Sequence, residues 1–437
     1  MAPHAEHRPA VSVVLPFFGD AGEAAATLRA LAAIQRREGD EVIVVDNTPE
    51  GVATPLGDGV RVVSATVKRS AYAARNEGLE LAAAEWALLL DADCRPRPTI
   101  LDDYFAEPID AACGAVAGEI VGVAGQGGLA ARYARSRSYL SLAASRSHPY
   151  LPIAPTANLL VRRSAWSAIG GFPEGMTAAA GDVWFSWRLQ EAGWRLCRRD
   201  AAIVEHVHRD TVAALARQMA RNEAGAAWLN RRRPGVLLRP SLLAGLGRAL
   251  AGAAAFAVRG QPERARMKLL DGIVVASQTA GSLAGNAAPR AAAADSGALV
   301  VVADRFPRRG AGTAERLRDL SAAGPLRIEA AGRAEDADWR AVRGAEALFW
   351  EDEGRASRAL ATAWLCVRHP LRCLADRDRG RAGGSADGPR LRDLAPAARR
   401  LARRRPGGVT ALEGPAAERL ADRLARLAGV TQSTKVR

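Results

Sequence analysis

Lysine is almost missing from this chain. Only Lys68, Lys268 and Lys435 stand among its 61 basic residues, so the formal charge of +14 is carried by arginine. An excess of that size points in general to nucleic acid or an anionic membrane surface, because clustered cations release counterions from phosphates. Basic stretches interleaved with aromatic residues, the pattern that stacks bases, are also missing, and a nucleic-acid partner is not expected. With so much Ala and Gly, the arginine reads as a compositional bias of the coding DNA. The five cysteines (Cys94, Cys113, Cys197, Cys366, Cys373) form no C-x-x-C pair. Neither a zinc site nor a disulfide framework is therefore expected, and a reducing cytoplasm fits best. Residues 1–10 hold no apolar stretch that would serve as a signal peptide, so secretion is not expected. A membrane-spanning run is lacking too: Leu242 to Val258 is short, rich in Ala and Gly, and interrupted by Arg248. It reads as a packed or surface-lying helix, which leaves open a peripheral contact at the inner face of the plasma membrane.

At 437 residues the chain exceeds one ordinary core, and two or three domains are expected. Val11 to Phe18 is an almost unbroken apolar run, followed by an Ala/Leu-rich helical stretch and a second run, Glu41 to Asn47. Arg61 to Thr66 reads as a strand, Ala71 to Ala84 as a helix, and Trp86 to Leu90 as a strand leading straight into Asp91. Continuously apolar strands belong to a parallel sheet covered on both faces, and ligands gather at the carboxyl ends of such strands. Asp46 and Asp91-Ala92-Asp93 fall there. The sheet continues through Ala115 to Val123, Asn158 to Val161 and Ala201 to Val207, with helices over Asp182 to Ala192 and Thr211 to Asn230. Ser241 to Gly285 reads as two helices. A second βαβ rhythm runs from Leu299 to Trp350, Arg377 to Pro389 reads as a loose loop, and Ala416 to Ala428 as an amphipathic helix.

Two carboxylates one residue apart at a strand end can share a divalent cation that also bridges a diphosphate. Acidic pairs in loops are common, however, and most are merely solvated. Arg75, near the same sheet edge, can bind a diphosphate or a base bidentately, or simply cover a helix surface. Asp182 opens a helix, where it would serve either as a general base or as an N-terminal cap. The loop before it, Gly170 to Gly181, holds glycines suited to close approach to a ligand. His206 and His208 share one side of a strand, and either would supply a further metal ligand or be a satisfied structural histidine. Trp184 and Trp187 lie on one helical face beside Asp182, as core or as a platform for a sugar ring.

Taken in order, these pieces resemble family 2 glycosyltransferases of the GT-A fold. The carriers are Val13-Val14-Leu15-Pro16, Val44-Val45-Asp46-Asn47, Ala74-Arg75-Asn76-Glu77-Gly78, Leu90-Asp91-Ala92-Asp93, Asn158 with Arg162-Arg163, Gly170-Gly171-Phe172, Asp182, His206 and His208. The match covers Val11 to Pro234. Its last part, His208-Arg209 through Trp228 to Pro234-Gly235, is similar to an actinobacterial subgroup that includes the mycofactocin-system enzymes. The resemblance implies an inverting, metal-dependent transfer from a nucleoside-diphosphate sugar to a hydroxyl acceptor. Pro16, Phe17 and Asp46 would hold the base, Arg75 the base or diphosphate, Asp91 the ribose or diphosphate, and Asp93 a Mg²⁺ or Mn²⁺ ion, with His206 or His208 as a further ligand. Asp182 would be the catalytic base, with Asn158 and Trp184 on the sugar and acceptor side.

Two departures stand out: Gly181-Asp182 replaces the family's usual Glu-Asp, and the Gln-x-x-Arg-Trp signature of processive synthases is absent. The missing carboxylate keeps a second reading open, a non-catalytic nucleotide-sugar or glycan-binding scaffold. The C-terminal region, through Asp304-Arg305-Phe306-Pro307-Arg308, Trp350-Glu351-Asp352-Glu353 and Arg368-His369-Pro370, resembles the N-terminal lobe of family 4, GT-B enzymes. The expected layout is thus α/β throughout: a disordered N-terminus over 1–10, a GT-A domain over 11–235, a helical extension over 236–285, a linker over 286–297, a smaller α/β domain over 298–430, and a tail over 431–437.

Overall fold

A strand with no polar alternation is stable only between two apolar layers, and the first half of the chain is built of such strands. The computed structural model describes residues 8–49, 51–54, 59–64, 70–124, 127–137, 150–174, 179–232, 236, 241–284, 298–307, 312–322, 326–334, 347–382, 389–404 and 406–432. It divides into two compact units, 1–281 and 282–437. The expected linker over 286–297 lies outside the described residues.

In the first unit, strands β1 (Val11–Phe17), β2 (Glu41–Asp46), β3 (Val60–Ser64) and β4 (Trp86–Leu90) pair in parallel. They continue into β5 (Cys94–Pro96), β6 (Cys113–Ala124), β7 (Asn158–Arg162) and β8 (Arg195–His208), giving the order β3-β2-β1-β4-β7-β6-β8-β5. Strand β7 runs antiparallel to both β4 and β6, and β5 runs antiparallel to β8; the sheet is otherwise parallel. Side chains alternate across β1, so Val11, Val13, Leu15 and Phe17 enter one core with Leu28 and Leu31 of helix α1 (Ala21–Ala32). Val14 enters the opposite core, with Leu79 of α2 (Ala71–Leu81), Leu89, Trp166, Phe172 and Trp187. Helix α1 starts at a capping box, Asp20 accepting from the Glu23 N–H at 2.9 Å while Glu23 accepts from the Asp20 N–H at 3.0 Å. The short helices α3 (Ile100–Tyr104), α4 (Leu129–Arg137) and α5 (Arg163–Ala168) precede α6 (Gly181–Glu191) and α7 (Val212–Arg232). The expected pair of helices beyond is α8 (Leu242–Val258) and α9 (Pro262–Ala284). No helix among the described residues is long and apolar enough to cross a membrane.

Three expectations are corrected. Residues 8–10, placed in a disordered terminus, are tied down: the Arg8 guanidinium donates to Asp40 at 2.6 and 2.9 Å and to Asp102 at 2.6 Å. Cys113 and Cys197 are joined in a disulfide, because the register of β6 against β8 sets Val116 beside Cys197 and brings Cys113 within 6.0 Å, Cα to Cα. The stretch expected as a loop from Arg377 begins as helix, continuous with Pro370 to Ala382; 383–388 lie outside the described residues.

The second unit has its own parallel sheet, β9 (Leu299–Phe306), β10 (Leu326–Arg333), β11 (Ala347–Phe349) and β12 (Gly408–Ala411), in the order β11-β10-β9-β12. Helices α10 (Thr313–Ala322), α11 (Arg355–Arg368), α12 (Pro370–Ala382), α13 (Leu391–Arg404) and α14 (Gly414–Ala428) complete it. Its core holds charge. Glu329 is fully buried and accepts from Arg400 at 2.6 and 2.9 Å and from the Trp350 indole at 3.0 Å. Burial alone would raise the Glu329 pKa, but Arg400 outweighs it and holds the carboxyl below its usual range. Arg333 pairs with Asp352 through two bonds of 2.8 Å, so the buried charges are compensated.

Helix α2 crosses β1 closely enough that position 78 admits only glycine: a Cβ there would lie 2.3 Å from Val14 Cγ1. Gly78→Ala is expected to lower stability by about 1–3 kcal/mol, through overpacking. Gly247, on the open side of α8 with nothing within 4 Å of an added Cβ, is the control. There Ala should stabilise by about 0.5–1 kcal/mol, through helix propensity. Denaturant titration of both variants checks the pair.

Candidate active site

Parallel pairing sets the carboxyl ends of β1, β2 and β4 side by side. Phe17 pairs with Asp46 across β1 and β2, and β4 ends at Leu90, delivering Asp91 to the same edge. Behind them, α2 presents Tyr72, Arg75 and Asn76, all buried. The Arg75 guanidinium is ion-paired with Asp91, whose own side chain stays partly open to solvent. Arg75 also lies over the rings of Tyr72 and Phe172, at 5.7 and 6.0 Å. Its Nε is buried without a partner among the described residues, a donor left over for a ligand. Asn76 is spent on structure: it accepts from the Phe172 N–H at 2.8 Å and the Trp166 indole at 3.1 Å, and donates to the Phe172 carbonyl at 2.8 Å.

The triplet then turns back as β5, which pairs Cys94 with His206 of β8. This places His206 Nε2 at 3.2 Å from Asp93 Oδ1, while Arg209 Nη2 reaches Asp93 Oδ2 at 3.3 Å. Burial by itself would raise the Asp93 pKa, yet the His206 and Arg209 cations hold it below the usual range. For His206 burial lowers the pKa, and the facing Asp93 overcomes this and raises it. Asp93, Cys94 and His206 bring ligand atoms within 4.8 Å of one another; His208, also expected as a ligand, is not in that group. Its ring centroid stands 5.7 Å from that of His206, and its pKa is lowered by burial and then by the His206 charge. Gly122 makes its space, since a Cβ there would lie 2.0 Å from His208 Nε2. Cys94 has its thiol pushed well up by burial, which keeps it protonated and a poor ligand for a hard cation.

Asp182 lies one residue inside α6, whose N-cap, Ala180, makes no side-chain cap bond. The capping reading is therefore not met. Its carboxylate accepts from the Val183 N–H at 2.8 Å and sits in the electrostatic field of Arg75 and Asp91. Burial raises its pKa, which favours a group that can take up a proton. Where the family pattern has Glu, Gly181 leaves room for the Tyr72 ring, whose Cε1 would lie 2.2 Å from a Cβ at 181.

Five expected residues stand elsewhere or are otherwise engaged. Phe17 points into the core, because strand alternation sends Phe18 outward instead, 68% exposed. Pro16 beside it is buried in β1. Asp46 is 1% exposed, and its oxygens accept from the Thr48 N–H and hydroxyl at 2.9 and 2.6 Å and from the Ala53 N–H at 2.7 Å. It shapes its own turn, leaving the neighbouring Asn47 Oδ1 as the buried acceptor without a partner among the described residues. Asn158 accepts from the Tyr104 hydroxyl at 2.8 Å and donates to the Glu119 and Ala202 carbonyls at 3.0 and 2.8 Å, which makes it a tie between strands rather than an acceptor contact. Trp184 meets Trp228 edge-on at 5.5 Å, while Trp187 is core. Nothing in the sequence marks the pairing of Arg209 with Asp93 or of Tyr72 with Gly181, since no spacing sets these two apart from other arginines and helical aromatics.

A mostly parallel sheet with an antiparallel β7 inserted beside β4, opening on an acid-rich carboxyl edge, is the arrangement of a GT-A domain. Residues 12–170, which lie within the first unit, match the family model for glycosyl transferase family 2. Over 212 residues the chain is 34% identical to a pre-mycofactocin glycosyltransferase of Mycobacterium tuberculosis, covering 46% of this chain and 43% of the relative. It is 27% identical over 196 residues to glycosyltransferase AglE of Haloferax volcanii, covering 43% of this chain and 64% of that protein. The chain thus spans less than two thirds of either relative. A solved mannosyltransferase of Pyrobaculum calidifontis, in complex with GDP-Man and Mn²⁺, is 19% identical with a TM-score of 0.43, covering 63% of this chain and 89% of that one.

Because the folded Asp46 pKa is depressed, its ionised form stabilises the fold above the unfolded carboxylate value of about 3.9, and that stability is lost as pH falls through the folded value. Asp46→Asn should therefore be less stable than the native chain at pH 7, by about 1–3 kcal/mol for the lost charge-assisted bonds. The gap should close below about pH 4, as followed by urea unfolding across pH.

Proposed function

We propose that the first unit catalyses an inverting transfer of a sugar from a nucleoside-diphosphate donor to a hydroxyl acceptor, with Asp182 as general base. The observation that carries this reading is the convergence of three elements on one sheet edge: Arg75 paired with Asp91, Asp93 beside His206, and Asp182 in the field of the first pair. Arg75 Nε, facing no protein partner among the described residues, would bind the diphosphate. Asp91 would take the ribose or diphosphate end, and Asn47 Oδ1 is available to the base. Asp182 accepts the acceptor hydroxyl proton as the new C–O bond forms, and the bond from the anomeric carbon to the diphosphate breaks with its electron pair leaving on phosphate oxygen.

The donor set suits a divalent cation. Asp93 Oδ1 and His206 Nε2, a carboxylate oxygen and an imidazole nitrogen 3.2 Å apart, would hold it. A bound Mg²⁺ or Mn²⁺ would neutralise the leaving diphosphate, and it would take the place of the proton on His206. Asp93→Ala is expected to abolish turnover of UDP-glucose, UDP-N-acetylglucosamine and GDP-mannose, screened with Mn²⁺. Asp182→Asn should lose turnover by roughly 100-fold or more, in line with general-base catalysis, and still bind the donor. Near-normal turnover by Asp182→Asn would remove the base from the scheme, and a native chain that binds a donor without turning it over would favour the scaffold reading.

A peripheral contact with an anionic bilayer is supported by α8, which carries no acidic residue and buries Gly245, Ala249 and Ala253 while Leu243, Leu250 and Val258 stand 62–89% exposed. The exposed face of this helix, apolar apart from Arg248, is suited to the surface of a bilayer. Arg248 on it, and Arg259, Arg264 and Arg266 just beyond, complement a negative surface. The chain should co-sediment with phosphatidylserine vesicles more than with phosphatidylcholine alone, and Leu250→Glu should weaken this. Self-association through the same face, seen by ultracentrifugation, would replace the lipid reading.

A further inference from the structure

We propose that Tyr72 is a positioning residue for Asp182: its ring fills the space over Gly181 and its hydroxyl anchors the first turn of α6, which sets where the Asp182 carboxylate stands relative to Arg75 and Asp91. The inference rests on reading Asp182 as the base.

The first turn of a helix leaves N–H groups that need partners from outside, normally a Ser, Thr, Asp or Asn side chain at the cap. In α6 the cap is Ala180, which has no such side chain and is held at a left-handed φ of 75°. The need is met from a different helix: the Gly181 N–H donates to Tyr72 Oη at 2.9 Å. Glycine at 181 answers a close approach rather than a backbone requirement, since Gly181 is not among the positive-φ residues. An added Cβ would lie 2.2 Å from Tyr72 Cε1 and 2.3 Å from Cζ. The fit of ring against backbone fixes the residue just before Asp182.

The same ring is coupled to the other half of the site. Tyr72 stacks on Phe172 at 6.2 Å with 14° between planes, and Phe172 stacks on Phe185 of α6 at 4.2 Å and 15°. Arg75 lies over both Tyr72 and Phe172. Tyr72 thus touches the backbone that carries the base and the guanidinium that pairs with Asp91. The hydroxyl is buried, and burial pushes its pKa well above the usual tyrosine value, so it serves as a neutral acceptor for the Gly181 N–H. It has no need to reach substrate in order to matter, because a small displacement of a reacting group is costly in rate.

The test uses the full chain with Mn²⁺ and whichever of the three nucleotide sugars above it turns over. Tyr72→Phe keeps the ring and removes the acceptor for the Gly181 N–H. Its kcat should fall about tenfold, the effect of one lost positioning bond, with the donor Kd changed less than about twofold. Gly181→Ala keeps Tyr72 but pushes against it, and should lower kcat further with the donor Kd again retained. Tyr72→Val combined with Gly181→Ala opens the space and should recover part of what Gly181→Ala alone loses, a non-additivity expected only of residues in contact. A purely structural role would lower the melting temperature of these variants and leave kcat per folded molecule unchanged, which overturns the inference; so does a loss carried wholly by weaker donor binding. If Asp182→Asn is active, the base assignment falls with it. If Asp182→Asn is dead while Tyr72→Phe and Gly181→Ala are normal, the base stands and the positioning role alone is refuted. Should Tyr72→Phe fail to fold, Gly181→Ala decides by the same criterion.

Discussion

A guanidinium buried beneath a sheet edge needs a carboxylate, and the Arg75–Asp91 pair is the interaction on which the rest of the site depends. Arg75 sits on α2 between residues that hold other parts of the site. Tyr72, one turn before it, reaches Gly181, and Asn76, next to it, holds the backbone of Phe172 on both sides. One face of a single helix therefore ties together the end of β4, the glycine loop that starts at 170 and the entry to α6. Gly78, further along the same helix, lets it lie close against β1 and keeps that face at a fixed height over the sheet.

The second centre, around Asp93, is assembled differently. Its partners come from the far side of the sheet: Arg209 lies 116 residues along the chain, and His206 is brought in by the pairing of β5 with β8. The short β5 is thus more than an edge strand. It sets Asp93 against His206, where Arg209 also reaches it, while Asp91 faces Arg75. The two carboxylates differ in what they meet, Asp91 the Arg75 guanidinium and Asp93 both the His206 imidazole and Arg209.

The second unit solves a different problem with the same kind of sheet. Its strands bury Glu329 and Arg333 among apolar neighbours, and these are matched by Arg400 and Asp352 from elements that follow later in the chain. Such a network is weak evidence for stability, but it demands a specific packing, since any shift would strand a charge.

Much of this could be read from the sequence. The unbroken apolar runs at Val11 and Trp86 marked buried parallel strands, and the acids at their ends marked the edge where the candidate site lies, because periodicity and strand polarity are local properties. The ordered motifs carried the resemblance to family 2 glycosyltransferases for the same reason, and residues 12–170 match that family's model. The sequence did not reveal that Phe17 faces inward, that Asp46 spends its oxygens on its own turn, or that Asn158 is a tie between strands. It did not show that His206 rather than His208 meets Asp93, that Cys113 finds Cys197, or that Tyr72 stands over Gly181. Each of these depends on the register and approach of segments far apart in the chain. The local pattern says which residues lie on a strand end or a helix face, but only the packed sheet decides which of them touch.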